Sequence, residues 1–503
     1  MIKKLIKDSA TYLPSMIIPA LTGIIAMPII TRLFSPGIYG NYILVITTVS
    51  LLSAFTTAWI NSSAVRFYST YETSGELKNF YGTLFKLAVL SIGIVSILFL
   101  FALFLLRDKI SASLFFLMQI GVIFFALNSF TGLPSNLLRA KRKVIQYSFF
   151  TIWMSVSGMI IGITTALLFH IGVEALILGN IASTLMIMPF LWRTSFGKIF
   201  LKYGDICSRM SWEIVKYGIP AIMINVLSWA QSLSDRYVIG LFRGSGEVGI
   251  YSPNYTIAES GIFLITSLFL LSSEPIGFDV WEKHGVGESQ KFINKVTRYY
   301  LIVALPATVG LSLLAKTVTH ILVAPQYYAG YVIIPLVAFG AFFVGLAHRF
   351  TTTLSYHKRT DLLMFCYLGS IILNVLLNFI LIPKYGYVSA AFSTFMSYFF
   401  LLLSSIIISR RFFVWKFPFK SLVRCLLSSA IMAAGVYFLT SNLHFNNFIN
   451  ITLEITAGIA LYSVSIFLLK EILPEEITAI KKFVKEYFSI MIKKLNFKKI
   501  ILI

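Results

Sequence analysis

The chain contains 503 residues, of which 57% are hydrophobic and only 12% are charged. Charged residues make up about a quarter of an average soluble domain, so this composition excludes an ordinary soluble protein. The net charge of +22 would suit a nucleic-acid partner, but the basic residues lie between long apolar runs. The membrane potential and anionic lipids explain that distribution better, so we expect membrane lipids around the chain and no nucleic acid as a partner.

Long apolar runs follow one another along the chain, and they predict an all-α polytopic membrane protein. Each run has roughly 19–25 residues, and ~20 helical residues cross a ~30 Å hydrocarbon core. We predict about fourteen transmembrane helices, at 11–33, 40–62, 81–106, 113–134, 147–169, 172–192, 216–241, 250–272, 299–322, 332–354, 362–382, 386–408, 422–440 and 448–469. Two longer, charged segments, 193–215 and 273–298, are predicted as loops on one side of the membrane.

The basic residues alternate from one gap between spans to the next. Counted from the N-terminal tail, the odd-numbered gaps hold 35 of the 42 lysines and arginines, and the even-numbered gaps hold the other 7. Lysine and arginine collect in the loops that stay in the cytoplasm. Both termini are therefore predicted to be cytoplasmic, in a plasma membrane.

Short sequence echoes predict that the first twelve spans are two copies of a six-helix unit. They pair Tyr12-Leu13-Pro14 with Tyr217-Gly218-Ile219-Pro220, Leu33-Phe34 with Leu241-Phe242, Tyr39-Gly40 with Val248-Gly249, and His170-Ile171-Gly172 with Lys384-Tyr385-Gly386. Units that start on the same side form a parallel repeat about an axis along the membrane normal. We predict an N-terminal six-helix lobe, a C-terminal six-helix lobe, two additional helices and a tail, at 1–203, 204–414, 415–471 and 472–503. The tail is predicted as a basic amphipathic helix on the cytoplasmic leaflet, or else as a segment without fixed structure.

None of the familiar catalytic motifs fits this chain. Gly244-Ser245-Gly246-Glu247-Val248-Gly249 satisfies the G-x-G-x-x-G pattern, but the dinucleotide fingerprint needs a strand before it and a helix opening after it. Here the motif lies in a turn between two predicted spans, so we expect its glycines to shape a tight hairpin. The three cysteines and six histidines are scattered without metal-ligand spacing. We therefore expect no enzyme, no metal site and no cofactor.

Polar residues inside the apolar runs are the candidate functional residues. A charge in the middle of a bilayer costs ~2.5–3.5 kcal/mol even on the lenient insertion scale, so it usually faces a cavity or a partner. Glu259 lies near the middle of span eight, and Asp235 and Arg236 lie just inside the outer end of span seven. The other candidates are arginines near span ends and amides within spans, namely Arg32, Arg66, Arg349, Asn61, Gln231, Asn374 and Asn378. Together they predict a hydrated interior lined by both lobes.

Each candidate also has a purely structural interpretation. An arginine near a span end can extend its head to the lipid headgroups, which would account for Arg32, Arg66 and Arg349. Asp235 and Arg236 could do no more than offset one another's charge, and small polar stripes are as often helix-packing faces as cavity walls. Among these candidates, a purely structural interpretation is weakest for Glu259.

Ordered segments along the chain resemble a known family of transporters. They are Ser9-Ala10-Thr11-Tyr12-Leu13-Pro14, Pro28-Ile29-Ile30-Thr31-Arg32-Leu33-Phe34-Ser35-Pro36, Asp235-Arg236-Tyr237-Val238-Ile239-Gly240, Val248-Gly249-Ile250-Tyr251-Ser252 and Ile382-Pro383-Lys384-Tyr385-Gly386-Tyr387-Val388-Ser389-Ala390-Ala391. In order and spacing they resemble bacterial polysaccharide repeat-unit flippases, the O-antigen and capsule branch of the multidrug/oligosaccharidyl-lipid/polysaccharide exporter superfamily. The resemblance covers residues 9–440.

This resemblance implies that the chain flips polyprenyl-diphosphate-linked oligosaccharide repeat units from the cytoplasmic to the outer leaflet by alternating access. The repeat unit would belong to O-antigen, and so to lipopolysaccharide biosynthesis, or to a capsule or exopolysaccharide. The implied site has arginines for the diphosphate and amides for the sugars, at Arg32, Arg66, Arg236, Arg349, Asn61, Gln231, Asn374 and Asn378. Asp235 and Glu259 would respond to a coupling ion, and spans thirteen and fourteen would line a groove for the lipid tail. The expected setting is a bacterial inner membrane, with a polysaccharide polymerase and a chain-length regulator as partners.

Two other functions stay open at this point. An ion-coupled exporter of small molecules or drugs shares the same lobes, and it predicts a cavity of net acidic character. A membrane polysaccharide polymerase predicts a sizeable loop that carries catalytic acids or bases. The gaps on the predicted external side are all short, which favours a transporter over a polymerase.

Overall fold

The computed structural model of the protein describes residues 2–197, 207–442, 447–476 and 478. These residues form fifteen α-helices and contain no β-strand, so the predicted all-α class is confirmed. In chain order the helices are α1 (Ile2–Leu33), α2 (Pro36–Thr56), α3 (Ala58–Thr73), α4 (Leu77–Leu105), α5 (Ala112–Ala140), α6 (Val144–Phe169), α7 (Glu174–Phe196), α8 (Ser208–Arg243), α9 (Ser245–Leu313), α10 (Ala315–Leu322), α11 (Ile334–Tyr356), α12 (Thr360–Tyr385), α13 (Tyr387–Ser409), α14 (Phe419–Asn442) and α15 (Asn447–Leu468). Apart from 472–476 and 478, the predicted tail lies outside the described residues.

Twelve of the described helices are long and apolar enough to cross a membrane by length and composition. One of them, α9, has 69 residues and contains predicted span eight and the first part of predicted span nine, which ends in α10. The 36-residue α8 corresponds to predicted span seven, and it is not among the twelve because its polar residues lower its mean hydropathy. The chain is a multi-pass membrane protein, and the count of fourteen spans stays a prediction.

The segment 273–298, predicted as a loop, is instead helical and continues α9 on both sides of a break at Gly285. Gly285 has φ +72°, a left-handed conformation that glycine adopts without strain, so the chain changes direction there. Opposite charges pair one helical turn apart on either side of the break. Lys283 Nζ lies 2.6 Å from Asp279 Oδ1, and Lys291 Nζ lies 2.7 Å from Glu288 Oε1. The charged composition indicated a segment outside the membrane, but it suits an exposed helix as well as a loop.

The turn between α1 and α2 packs reciprocally against the turn between α8 and α9. A Cβ atom on Gly40 would lie 1.8 Å from the carbonyl oxygen of Ser245, and one on Gly249 would lie 1.9 Å from that of Pro36. Glycine is therefore required at both positions for the two backbones to approach this closely. Gly40 and Gly249 correspond in the predicted repeat, and a reciprocal contact is what a twofold axis generates. The lobes and their boundaries stay a prediction, with which this contact is consistent.

A cluster of ion pairs fastens the chain after α15 to α9 and α14. Arg298 of α9 donates hydrogen bonds of 2.6 Å to both Glu471 and Glu476. Arg424 of α14 lies 3.1 Å from the second carboxylate oxygen of Glu471, and the Tyr299 hydroxyl donates to Glu476 at 2.8 Å. We call these five residues the terminal clamp.

The electrostatics of the terminal clamp keep both of its acids charged. Burial works to raise the pKa of Glu476, but the hydrogen bonds from Arg298, the Leu473 N–H and Tyr299, with the charge of Arg298, together outweigh it and lower the pKa to about 2. Burial likewise opposes ionisation of Glu471, yet hydrogen bonds from Ser421 and Arg298 lower its pKa overall. Because both carboxylates are ionised at neutral pH, the clamp holds α14 and the segment after α15 against α9.

Candidate functional site

A cavity of about 570 Å³ lies between α2, α3, α5, α6 and α8, and we call it the polar cavity. Hydroxyl and amide side chains make up most of its wall, namely Ser50, Ser53, Thr57, Asn61, Asn128, Ser129, Thr131, Ser135, Asn136, Thr151, Asn225, Ser228 and Ser232. Arg139, in the last turn of α5, is the one charged residue among the described residues that line it. Its guanidinium lies 5.6 Å from the centre of the Tyr147 ring, which also lines the cavity.

A break between α2 and α3 presents polar groups to the polar cavity. Thr57 stands between the two helices with φ −122° and ψ −16°, outside the helical range. One turn later, the Oδ1 atom of Asn61 is buried and has no hydrogen-bond partner. Gly132 of α5 lies opposite, where a Cβ atom would come within 2.9 Å of Asn61 Nδ2. A buried acceptor without a donor costs free energy, and a ligand hydroxyl that donated to Oδ1 would recover it.

A second cavity, of about 750 Å³, lies on the other side of α8 among α9, α11, α12 and α13, and we call it the apolar cavity. Aliphatic and aromatic side chains form most of its wall, among them Leu227, Phe263, Val337, Val344, Leu363, Met364, Leu368 and Ile371. The ionisable exceptions include Glu259, Glu274 and His348, and no lysine or arginine lines it within the described part of the chain. Ser228 and Ser232 line both cavities, so the two adjoin across α8.

Glu259 is the predicted ion-responsive acid that the structure places in a cavity wall. It lies on α9 one turn after Tyr255, and both residues line the apolar cavity together with Gln231 and Tyr398. A carboxylate that faces an apolar cavity can change its charge with a ligand or ion in that cavity. No group of three or more histidine, cysteine, aspartate or glutamate side chains that could hold a metal ion occurs among the described residues.

Asp235 and Arg236 form a buried ion pair behind that wall. Arg236 Nη1 lies 2.8 Å from Asp235 Oδ1, and it also donates to the carbonyl oxygen of Ser232 at 2.8 Å. The Tyr251 hydroxyl donates to Asp235 Oδ2, and the Arg236 guanidinium lies 4.7 Å from the centre of the Tyr255 ring. Both charges therefore have partners within the protein, as the structural interpretation of this pair requires.

Arg349 of α11 is buried but retains unused hydrogen-bond donors. Its Nη1 atom donates to the Ser273 hydroxyl at 2.9 Å, whereas Nε and Nη2 are buried without partners. A small cavity of about 20 Å³ lies beside it, lined also by Glu274 and Tyr356. That volume is enough for a water molecule. The free donors are what an anion site needs, but Arg349 lines neither of the two large cavities.

Four other predicted residues lie away from both large cavities. Arg32, in the last turn of α1, and Arg66, in the middle of α3, are exposed side chains, and both can extend to the lipid headgroups. Asn374 and Asn378 are buried between α12 and α13, where Asn378 donates to Asn374 Oδ1 at 3.1 Å. Asn374 in turn donates to two hydroxyl groups of α13 at 3.4 Å each. The two asparagines therefore join α12 to α13. The positions of all four residues lend no support to their predicted contacts with diphosphate or sugar.

Sequence reasoning missed several residues that line the cavities. Glu274 and His348 stand near the ends of predicted spans, where charged residues are ordinary, and Arg139 belonged to a basic loop. For α5 a signal was present, because Asn128, Ser129 and Thr131 interrupt an apolar run with three polar side chains inside four residues. On a helix, such a group marks a face that is turned away from lipid.

Solved structures with a similar fold are membrane transporters. The lipid II flippase MurJ, in an inward closed conformation, has a TM-score of 0.75 and 17% sequence identity, over 92% of this chain and 98% of that one. An inward-facing multidrug resistance transporter of the MATE family has a TM-score of 0.61 and 11% identity, over 85% of this chain and 94% of that one. At these identities the similarity shows the fold alone. It defines a multi-pass helical membrane protein with cavities between its helices.

The sequence comparisons then assign the family. The family of polysaccharide biosynthesis proteins matches residues 29–330, and the chain belongs to that family. A probable low-salt glycan biosynthesis flippase from Haloferax volcanii is 23% identical over 300 residues, which are 58% of this chain and 60% of that protein. The chain spans about half the length of the curated relatives it matches. The resemblance predicted from the sequence is confirmed.

Proposed function

We propose that this protein flips polyprenyl-diphosphate-linked oligosaccharide repeat units, of O-antigen or capsule type, from the cytoplasmic to the outer leaflet of a bacterial plasma membrane. The observation that carries the proposal is the pair of adjoining cavities of opposite polarity, which share Ser228 and Ser232 on α8. A substrate with a hydroxyl-rich head and an apolar tail needs both kinds of surface next to one another. The fold and the family support the same class of substrate.

The polar cavity suits the sugar part of such a substrate. Amide side chains donate and accept hydrogen bonds at once, and hydroxyls do the same, so they match the neighbouring hydroxyl groups of a sugar ring. Asn61, Asn128, Asn136 and Asn225 supply four amides to one cavity. Arg139 supplies a cation, and no carboxylate lines this cavity among the described residues. We therefore expect a glycan that is neutral or acidic rather than one that carries free amines.

The diphosphate, the coupling ion and the lipid tail are assigned to other residues of the site. Arg236 and Arg349 are proposed to favour the diphosphate, Arg349 through its unused N–H groups and Arg236 through its charge beside the shared wall. Glu259 is proposed to respond to a proton or cation gradient, because it faces the apolar cavity. The additional helices α14 and α15 are proposed to line a groove for the lipid tail. We infer no catalytic step, and we expect a polymerase and a chain-length regulator to act on the flipped product.

One observation favours a second candidate function, export of small cationic molecules. Glu259 and Glu274 both line the apolar cavity, which has no lysine or arginine among the described residues of its wall. A net acidic and largely apolar cavity is suited to a lipophilic cation. The polar cavity has the opposite character, with one arginine and no acid among the described residues that line it. Because of this polar cavity, we prefer a lipid-linked glycan over a small cation as the substrate.

Deletion of the gene in its host distinguishes the two functions. A flippase predicts that one surface glycan disappears while its lipid-linked repeat unit accumulates on the cytoplasmic leaflet, and that the parent gene restores display. If the deleted strain displays every surface polysaccharide normally and instead loses resistance to cationic compounds, the exporter is the correct assignment.

A further inference from the structure

A short segment of the predicted C-terminal lobe closes over the end of α1, which belongs to the predicted N-terminal lobe. The carbonyl groups in the last turn of a helix have no partner within that helix. Here the Tyr327 hydroxyl donates to the carbonyl oxygen of Phe34 at 2.7 Å, and the Ala324 N–H donates to the Thr31 hydroxyl at 3.0 Å. Gln326 Nε2 adds longer bonds, of 3.4 and 3.3 Å, to the carbonyl oxygens of Thr31 and Phe34. Residues of one lobe thus cap a helix of the other.

The capping segment is fixed to its own lobe by a buried asparagine. Asn254 of α9 donates to the carbonyl oxygen of Tyr327 at 3.2 Å and accepts from the Thr319 hydroxyl at 3.0 Å. Gly330 leaves room for this amide, because a Cβ atom there would lie 2.1 Å from Asn254 Nδ2. Asn254, Tyr327 and Thr319 are all fully buried. The segment is therefore held to α9, and it would move with α9 if the lobes moved apart.

The capped end of α1 adjoins the reciprocal glycine contact. The Tyr39 ring, beside Gly40, meets the Tyr327 ring edge-on with centres 6.1 Å apart. A movement that separated the lobes at this end would break the bonds from 324–327 and the contacts of Gly40 and Gly249 together. The bonds join neutral groups in a buried setting, so neither salt nor a pH change near neutrality would weaken them.

We propose that residues 324–327 are a latch, which keeps the two cavities closed at the predicted external end and must release before a substrate can leave on that side. The proposal rests on the proposed function in one respect, namely that the lobes move about the cavities. Through its hydrogen bonds to α1, the latch stabilises the externally closed state. Opening then depends on free energy supplied by substrate or ion binding elsewhere in the molecule.

The test measures how fast a membrane-impermeant thiol reagent reaches a cysteine at position 228, which faces both cavities. Ser228→Cys is made in a chain whose Cys207, Cys366 and Cys425 are replaced by serine. Tyr327→Phe deletes one hydroxyl of the latch and leaves its ring. We expect labelling from the external side to become roughly two- to tenfold faster, as the loss of one net hydrogen bond predicts.

Tyr328→Phe is the matched control. Its hydroxyl donates to the carbonyl oxygen of His320 at 3.3 Å, within the same lobe, so the labelling rate should equal that of the parent. Thr31→Val, which removes the acceptor for the Ala324 N–H, should act like Tyr327→Phe and gives a second variant if the first folds poorly. The latch is overturned if Tyr327→Phe and Thr31→Val label no faster than Tyr328→Phe at matched abundance. It is also overturned if labelling rises equally from both sides. No glycan enters this assay, so its result is independent of the proposed substrate.

Discussion

Replacing Arg298 by glutamine should release the segment that follows α15. Arg298 bonds to Glu471 and Glu476 at 2.6 Å each, and the side chain of Glu471 is only 1% exposed. Removal of one partner from a buried ion pair costs about 3–5 kcal/mol. Arg424 still reaches Glu471 in the variant, so we expect a smaller cost, about 2–3 kcal/mol. An equilibrium shifts tenfold for each 1.4 kcal/mol, and the segment should therefore open roughly 30- to 150-fold more often.

Hydrogen exchange of the backbone amides in 469–476 measures that opening. The Leu473 N–H donates to Glu476 Oε2 at 3.0 Å, so its exchange requires the terminal clamp to open. Lys291→Gln is the matched control on the same helix, because the Lys291–Glu288 pair is 76% and 54% exposed and contributes little. If exchange at Leu473 in Arg298→Gln stays within about twofold of the control, the clamp does not hold this segment and the reasoning is refuted.

Three further predictions follow from the topology, the polar cavity and the clamp. A reporter that is active only outside the cytoplasm should be active when fused after Lys384 and silent when fused after Arg410; the reverse pattern would contradict the predicted orientation. Asn61→Ala should lower glycan export about tenfold at matched abundance, because a cavity amide is lost, whereas Asn378→Ala should lower abundance because it removes a buried amide that bonds to Asn374, which in turn bonds to α13. If the two variants lower export per molecule equally, Asn61 is not part of the substrate site. The depressed pKa of Glu476, about 2, means that the clamp's contribution is complete above the ordinary carboxylate pKa and is lost as the pH falls towards 2. Exchange at Leu473, corrected for its intrinsic rate, should therefore be constant near neutrality and faster in acid; constant exchange down to pH ~3 would contradict this.

The helices of this protein could be predicted well because hydropathy and the thickness of a membrane constrain their length together. Hydropathy is less informative for α8, because polar side chains lower the mean hydropathy of this 36-residue helix. α9 marks another limit. Its charged middle part indicated an exposed segment, but nothing in a charged sequence distinguishes a loop from an exposed helix, and the position of the break depends on the left-handed backbone of Gly285.

The candidate site could be predicted in outline but not in detail. Asn225, Ser228 and Ser232 recur at helical spacing in the sequence of span seven, and all three line the polar cavity. Asn61 and Asn378 look alike in the sequence, as single amides in apolar runs. One faces a cavity and the other packs against a neighbouring amide, because the difference depends on the helix that lies opposite. That information is tertiary, and a single sequence does not contain it.

The most direct test of the central claim is transport by the purified protein in vesicles. A polyprenyl-diphosphate oligosaccharide with a fluorescent sugar is placed in both leaflets, and a membrane-impermeant reagent bleaches the label on the outside. A flippase predicts that bleaching proceeds beyond the outer-leaflet fraction to near completion, and that Asn61→Ala slows this second phase. If bleaching stops at the outer-leaflet fraction with the parent protein, while the same vesicles transport a lipophilic cation, the protein is an exporter of cations and the flippase assignment is contradicted.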